Sequence, residues 1–246
     1  MMYREYLVMR RALAWFACMV LAFMLIVLIL SKSNSIDYAG IANGSGWFAA
    51  IFASIFGVAL GNGSREAARV LWVLPTERWK LALQVIAVDL ASTTVAFACV
   101  YAFFLAFAGL HFRVNLHGTL SAADIAMALA MAYGTYGWST LAGMLGRRIA
   151  YCGIIALPAL MIWTMLAQSQ IAIGTILRAP IVANPFAVYN AGLTLNSWSH
   201  HRFTLDPIAS SLQWLGTSWG TPILVAIAIA TCGLAIALWQ RAEAIH

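Results

Sequence analysis

Long runs almost free of charge alternate along this chain with short stretches where its charged residues gather. The apolar runs at about 12–31, 46–62, 81–110, 122–146, 149–171 and 221–240 predict helices. A helix rises about 1.5 Å per residue, so roughly 17–25 apolar residues cross a hydrocarbon core about 30 Å thick, and every run reaches that length. The pattern predicts an all-α integral membrane protein: a single domain over residues 1–246 with six transmembrane helices and no separate soluble domain.

The first run follows Arg4, Arg10 and Arg11, an arrangement that signal peptides share. A signal peptide's apolar region spans about 7–15 residues, so the greater length of this run predicts an uncleaved anchor. Composition agrees with the pattern. With 63% hydrophobic and 9% charged residues, the chain falls far below the roughly one quarter charged residues of a soluble domain.

The net charge of +6 brings nucleic acid to mind, but the basic residues stand singly or in pairs at the ends of the apolar runs, where they report topology. With the N-terminus inside, the cytoplasmic side holds Arg4, Arg10, Arg11, Arg65, Arg69, Arg78, Lys80, Arg147, Arg148 and Arg241. Lys32, Arg113, Arg178 and Arg202 fall outside, so the positive-inside rule favours both termini in the cytoplasm and no nucleic-acid partner is expected. The four cysteines, Cys18, Cys99, Cys152 and Cys232, lie within apolar runs without CxxC spacing and read as small apolar fillers.

The stretch from Gly63 to Lys80 breaks the apolar monotony, holding six of the 22 charged residues. Ser64 can cap a short helix whose Glu66 sits near the positive end of its dipole. Pro75 interrupts that helix and pushes Leu74 out of the α region, after which Thr76 and Glu77 can start a new helix running into the third span. The expected product is a short helix lying on the cytoplasmic membrane surface; the alternative is an ordinary interfacial loop whose arginines and tryptophans anchor at headgroup level.

Glu66, then Leu74-Pro75-Thr76-Glu77-Arg78, then a long helix resembles the cytoplasmic segment of type-2 ABC transporter permeases. The resemblance covers the whole chain in architecture and about a dozen residues in sequence. It implies an N-terminal interfacial helix over Met1 to Arg11, a coupling helix between spans two and three, and a second cytoplasmic contact at Arg147-Arg148. It also implies re-entrant elements forming an outer gate between spans five and six. On that likeness, Arg65, Glu66, Arg69, Leu71, Trp72, Leu74, Pro75, Thr76, Glu77, Arg78, Arg147 and Arg148 would meet a separate ATPase subunit, and two permeases, identical or not, would enclose the pathway. The chain departs from the family in keeping Glu66 alone of the usual acidic run before Leu-Pro.

The sequence has no G-x-x-x-x-G-K-[ST] loop, so ATP and Mg are expected on the partner and no cofactor on this chain. Nor does it carry an H-E-x-x-H helix, and no catalytic residue and no metal ligand is expected. His200-His201-Arg202 lacks a third ligand and reads as a solvated loop. The segment 172–220 carries Phe186, Tyr189, Trp198, Phe203, Trp214 and Trp219 between the breakers Asn184-Pro185 and Asp206-Pro207, a pattern for elements half inserted at the outer interface.

Inside the predicted spans the candidate pathway residues are Asp89, Ser92, Thr93, Tyr133, Tyr136 and Ser139. Asp89 with Ser92 and Thr93 makes one polar stripe on the third span, suited to lining a path or carrying protons. The favoured alternative has Asp89, two to three turns from Lys80, reaching the cytoplasmic headgroups. Gly57 and Gly61 form a GxxxG pair, and Ala126, Ala130 and Gly134 repeat at the same spacing; both predict close packing within the chain rather than a dimer seam. The functional expectation is an exporter permease subunit in a bacterial-type inner membrane. An ATP-independent secondary transporter or assembly factor is the alternative.

Overall fold

The computed structural model describes residues 35–37, 46, 48–61, 78–111, 113–115, 122–145, 149, 152 and 220–241. Four helices dominate them: α1, Phe48–Gly61; α2, Arg78–His111; α3, Ala122–Leu145; and α4, Gly220–Arg241. Their ends fall within a few residues of four of the predicted runs, because the transfer energy of apolar side chains fixes where a span starts and stops. The runs expected at 12–31 and 149–171 lie outside the described residues, apart from the helical Ile149 and Cys152.

Contacts fix the helix directions. Phe48, near the start of α1, stacks on Phe104, late in α2, with ring centroids 5.1 Å apart, so these two helices are antiparallel. Gly57 of α1 lies against Ala132 and Tyr136, and Gly61 against Ser139 and Thr140, so α1 and α3 run the same way. Gly137 of α3 meets Ala228 and Thr231 of α4, and Trp239 shares a cluster with Met144 and Ala82. Hence α4 is parallel to α3 and antiparallel to α2.

The helices close on a core in which Phe52, Phe56, Phe97, Phe104 and Met131 interdigitate with small residues such as Ala49, Ala53 and Ala128. Trp239, only 2% exposed, packs against Ala82 at the other end of the bundle. Small residues set how near the backbones come. A Cβ placed on Gly61 would lie 2.8 Å from the Thr140 backbone nitrogen, and one on Gly137 would collide with Thr231 Oγ1. The GxxxG pair therefore serves intrachain packing of α1 on α3. The repeat on α3 divides, since Ala130 and Gly134 are buried and Ala126 is exposed.

The outward faces are apolar, with Ile55, Leu83, Val88, Val95, Phe103, Ile229 and Leu234 all exposed. Two helical stretches, Trp79–Phe107 and Gly220–Gln240, are long and apolar enough to cross a membrane, yet only 28% of the best window in each is buried. A core helix of a soluble domain would be mostly covered, so this exposure is compatible with a hydrocarbon surround. α3 has the length of a span, but its middle carries Tyr133, Thr135, Tyr136, Ser139 and Thr140, nearly all turned into the bundle.

One feature departs from the all-α expectation. Ser35–Asp37 (β1) and Arg113–Asn115 (β2) pair in parallel, with Ile36 opposite Val114. The antiparallel pairing of α1 and α2 puts the start of α1 and the end of α2 at the same end of the bundle, where these segments satisfy each other's backbone groups.

Candidate functional site

The polar residues of α2 and α3 meet inside the bundle. Asp89 sits eleven residues beyond Arg78, about 16 Å along the axis of α2. Tyr136 Oη, on the wholly buried Tyr136 of α3, donates a 2.9 Å hydrogen bond to Asp89 Oδ2. Asp89 is half-buried, and its carboxyl accepts this bond from a neighbouring helix. A charged carboxyl in a span costs about 2.5–3.5 kcal/mol on insertion scales, and a hydrogen bond to a charged group returns about 1.5–3 kcal/mol, so this contact is of the right size to hold Asp89 in the bundle.

Hydroxyls around the pair are held by backbone. Thr93 Oγ1 donates to the Asp89 carbonyl at 2.8 Å, and Thr140 Oγ1 to the Tyr136 carbonyl at 2.9 Å. Ser92 does the same on its own helix, to the Val88 carbonyl at 2.8 Å. A hydroxyl that bonds the carbonyl one turn back needs no water, which allows it in an apolar surround.

Two further bonds tie helices together. Tyr133 Oη and Thr94 Oγ1 share a 2.6 Å hydrogen bond between α3 and α2, and Ser139 Oγ donates to the Val58 carbonyl of α1 at 2.9 Å. Cys232 of α4 and Ile86 of α2 pack with Tyr136, so that three helices meet at this side chain. Cys232, Cys99 and Cys152 are free thiols, the last two exposed.

Of the predicted pathway residues, Asp89, Thr93 and Tyr136 come together; Tyr133 joins α2 one turn away, Ser139 reaches α1, and Ser92 turns to its own helix. Thr93, Tyr136 and Ser139 are closed between helices. Sequence reasoning missed Thr94, Cys232 and the Gly137–Thr231 approach. Thr94 lies five residues past Asp89 and so off the stripe of threes and fours, while the other two depend on how α4 seats on α3.

The predicted docking residues Arg65, Glu66, Arg69, Leu71, Trp72, Leu74, Pro75, Thr76, Glu77, Arg147 and Arg148 lie outside the described residues, as do His200, His201 and the whole of 172–219. Arg78 is the first residue of α2. Directly after it Trp79 is 43% exposed, with Lys80 Nζ 5.5 Å from its ring centroid, a pairing suited to a headgroup boundary. Among the described residues no three His, Cys, Asp or Glu side chains gather as a metal site would require. Comparison of the chain with protein-family models, with characterised proteins and with solved structures returned no match.

Proposed function

We propose that this chain is the membrane-spanning permease subunit of an ATP-driven exporter, working as a dimer and coupled to a separate ATPase through residues 63–80 and 147–148. The observation that carries the reading is the continuity of α2, which begins at Arg78, within the charged segment, and runs unbroken for 34 residues. A helix of that length is a rod of about 50 Å. Displacement at its charged end by a docked partner is carried past Asp89 to the Phe48–Phe104 stack at the opposite end.

The alternation of directions, with α1, α3 and α4 one way and α2 the other, supports a six-span, multi-pass arrangement in a bacterial-type inner membrane. In this arrangement Leu71, Trp72 and Leu74 fill a groove on the ATPase, with Arg65, Arg69 and Arg78 around its rim. ATP and Mg belong to that partner.

The test is co-purification with a candidate ABC ATPase subunit. Trp72→Glu with Leu74→Glu should abolish it while the permease still elutes as a monodisperse species. Retained co-purification with undiminished substrate-stimulated hydrolysis would refute the coupling role.

The Asp89–Tyr136 contact favours a second reading, an ATP-independent transporter driven by an ion gradient. Uptake into vesicles holding this chain alone, without nucleotide and under a proton gradient, separates the two. Such uptake would favour the second reading over the first.

A further inference from the structure

The second half of α2 leaves one face bare. Val95, Ala98, Cys99, Ala102, Phe103 and Ala106 are exposed there, whereas Thr93, Ala96, Phe97, Val100 and Phe104 on the other side are buried against the bundle. We propose that the apolar run at 12–31 packs along this face, parallel to α2. The proposal takes from the sequence that the run is a helix, and it takes nothing from the exporter reading.

The β1–β2 ladder carries the argument. Ser31, at the end of the run, lies four residues before Ser35, a reach of at most about 14 Å. Ser35 pairs opposite Arg113, two residues beyond the end of α2 at His111, and paired strands stand about 4.8 Å apart. The end of the run is therefore held beside the end of α2. The strands are parallel, so the two segments that feed them arrive from the same direction.

The pairing also sets the level of the two helices. Ser35 opposite Arg113 offsets them by 78 residues, which carries Cys18 and Ala22 to within about one turn of Ala98 and Ala102. Small residues at four-residue spacing thus come to one level on both helices, and small residues are what let helices in a membrane approach closely. The other helices offer less at this end of the bundle. α1 exposes only Ile55 and Ala59, both toward its far end. α4 exposes Val225 and Ile229, but among the described residues no backbone pairing ties the run to it.

The experiment uses the full chain in lipid nanodiscs, with Val95→p-benzoylphenylalanine and Phe103→p-benzoylphenylalanine as separate variants. Both positions are exposed, so the substitutions leave the core in place. On irradiation the excited ketone takes a hydrogen atom from a nearby C–H and the two carbon radicals join, giving a tethered peptide read by mass spectrometry.

Position 95 should capture residues around Ala17 and position 103 residues around Leu25, with the product still running as a single chain on a denaturing gel. That order is the mark of a parallel pair at the offset of the ladder. The same probe at Ile229 of α4, 68% exposed, should not capture the run. Capture of lipid alone, of residues 149–171 or of a second copy would overturn the proposal, as would capture in the reverse order or capture of the run from Ile229 instead of Val95. No ATPase is present, so failure of the exporter reading leaves this measurement intact, and the reverse holds as well.

Discussion

Single residues set how closely these helices approach, and glycine shows it most sharply. At Gly61 an added Cβ meets the Thr140 backbone nitrogen at 2.8 Å, and backbone cannot rotate aside as a side chain can. Gly61→Ala should therefore destabilise the bundle by about 1–3 kcal/mol, as overpacking of a close-packed interior does. At Gly233 a Cβ meets nothing within 4 Å, so Gly233→Ala should be neutral or raise stability by up to about 1 kcal/mol through helix propensity. Thermal unfolding of both variants in detergent checks the pair; equal shifts would mean that α1 does not seat on α3 through Gly61. The sequence made this half legible. Gly57 and Gly61 announce a close approach by their spacing, but nothing in the spacing says that Thr140 is what they approach. Likewise Asp89 stands out as a charge in an apolar run, whereas the donor that holds it, Tyr136, is 47 residues away and known only from the packing.

At the scale of the element, α2 is the helix long and apolar enough to cross a membrane whose start lies nearest the charged segment. The polar segment ending at Lys80 and the apolar run after it place its start within three residues, because both the capping signal of Thr76-Glu77 and the hydropathy step act locally. Its buried face is less legible: residues are apolar nearly all round, and the inward side is set by Asp89, Thr93, Ala96 and Val100 meeting α3 and α1. The outward side supplies the test. Val88 and Val95 are 56% and 61% exposed, so in a water-soluble bundle cysteines at these positions would be among the fastest thiols to react. In a membrane, hydrocarbon suppresses the thiolate that a maleimide requires. With native cysteines replaced, Lys80→Cys should react with an impermeant maleimide in inverted vesicles, while Val88→Cys and Val95→Cys stay unreacted until detergent is added. Fast reaction of the two valine positions in intact vesicles would contradict the membrane placement of α2.

For the whole molecule, the decisive feature is that α3 and α4 run parallel. Two parallel helices that both cross a bilayer need an odd number of crossings between them, so the six-span reading requires the chain from Leu145 to Gly220 to return to the side on which α3 began. The apolar run at 149–171 is of the right length to be that crossing, and the positive-inside count agrees with it, though the two arguments are independent: one counts charges in loops, the other reads side-chain contacts such as Gly137 against Thr231. The β1–β2 ladder fits the same frame, since it joins the segment before α1 to the one after α2 at the end of the bundle that the positive-inside expectation puts outside. No local pattern signals that pairing; Arg113–Asn115 reads as a loop, and only the antiparallel seating of α1 on α2 brings Ser35–Asp37 to it. Reporter fusions test the parity directly. Alkaline phosphatase should be active when joined after Leu116 or Gln213, and a fluorescent protein folded only in the cytoplasm should be bright after Arg148 or His246. If fusions after Arg148 and Gln213 report the same side, the intervening chain does not cross. Either α3 or α4 would then fail to span, and a six-span exporter could not be built on this bundle.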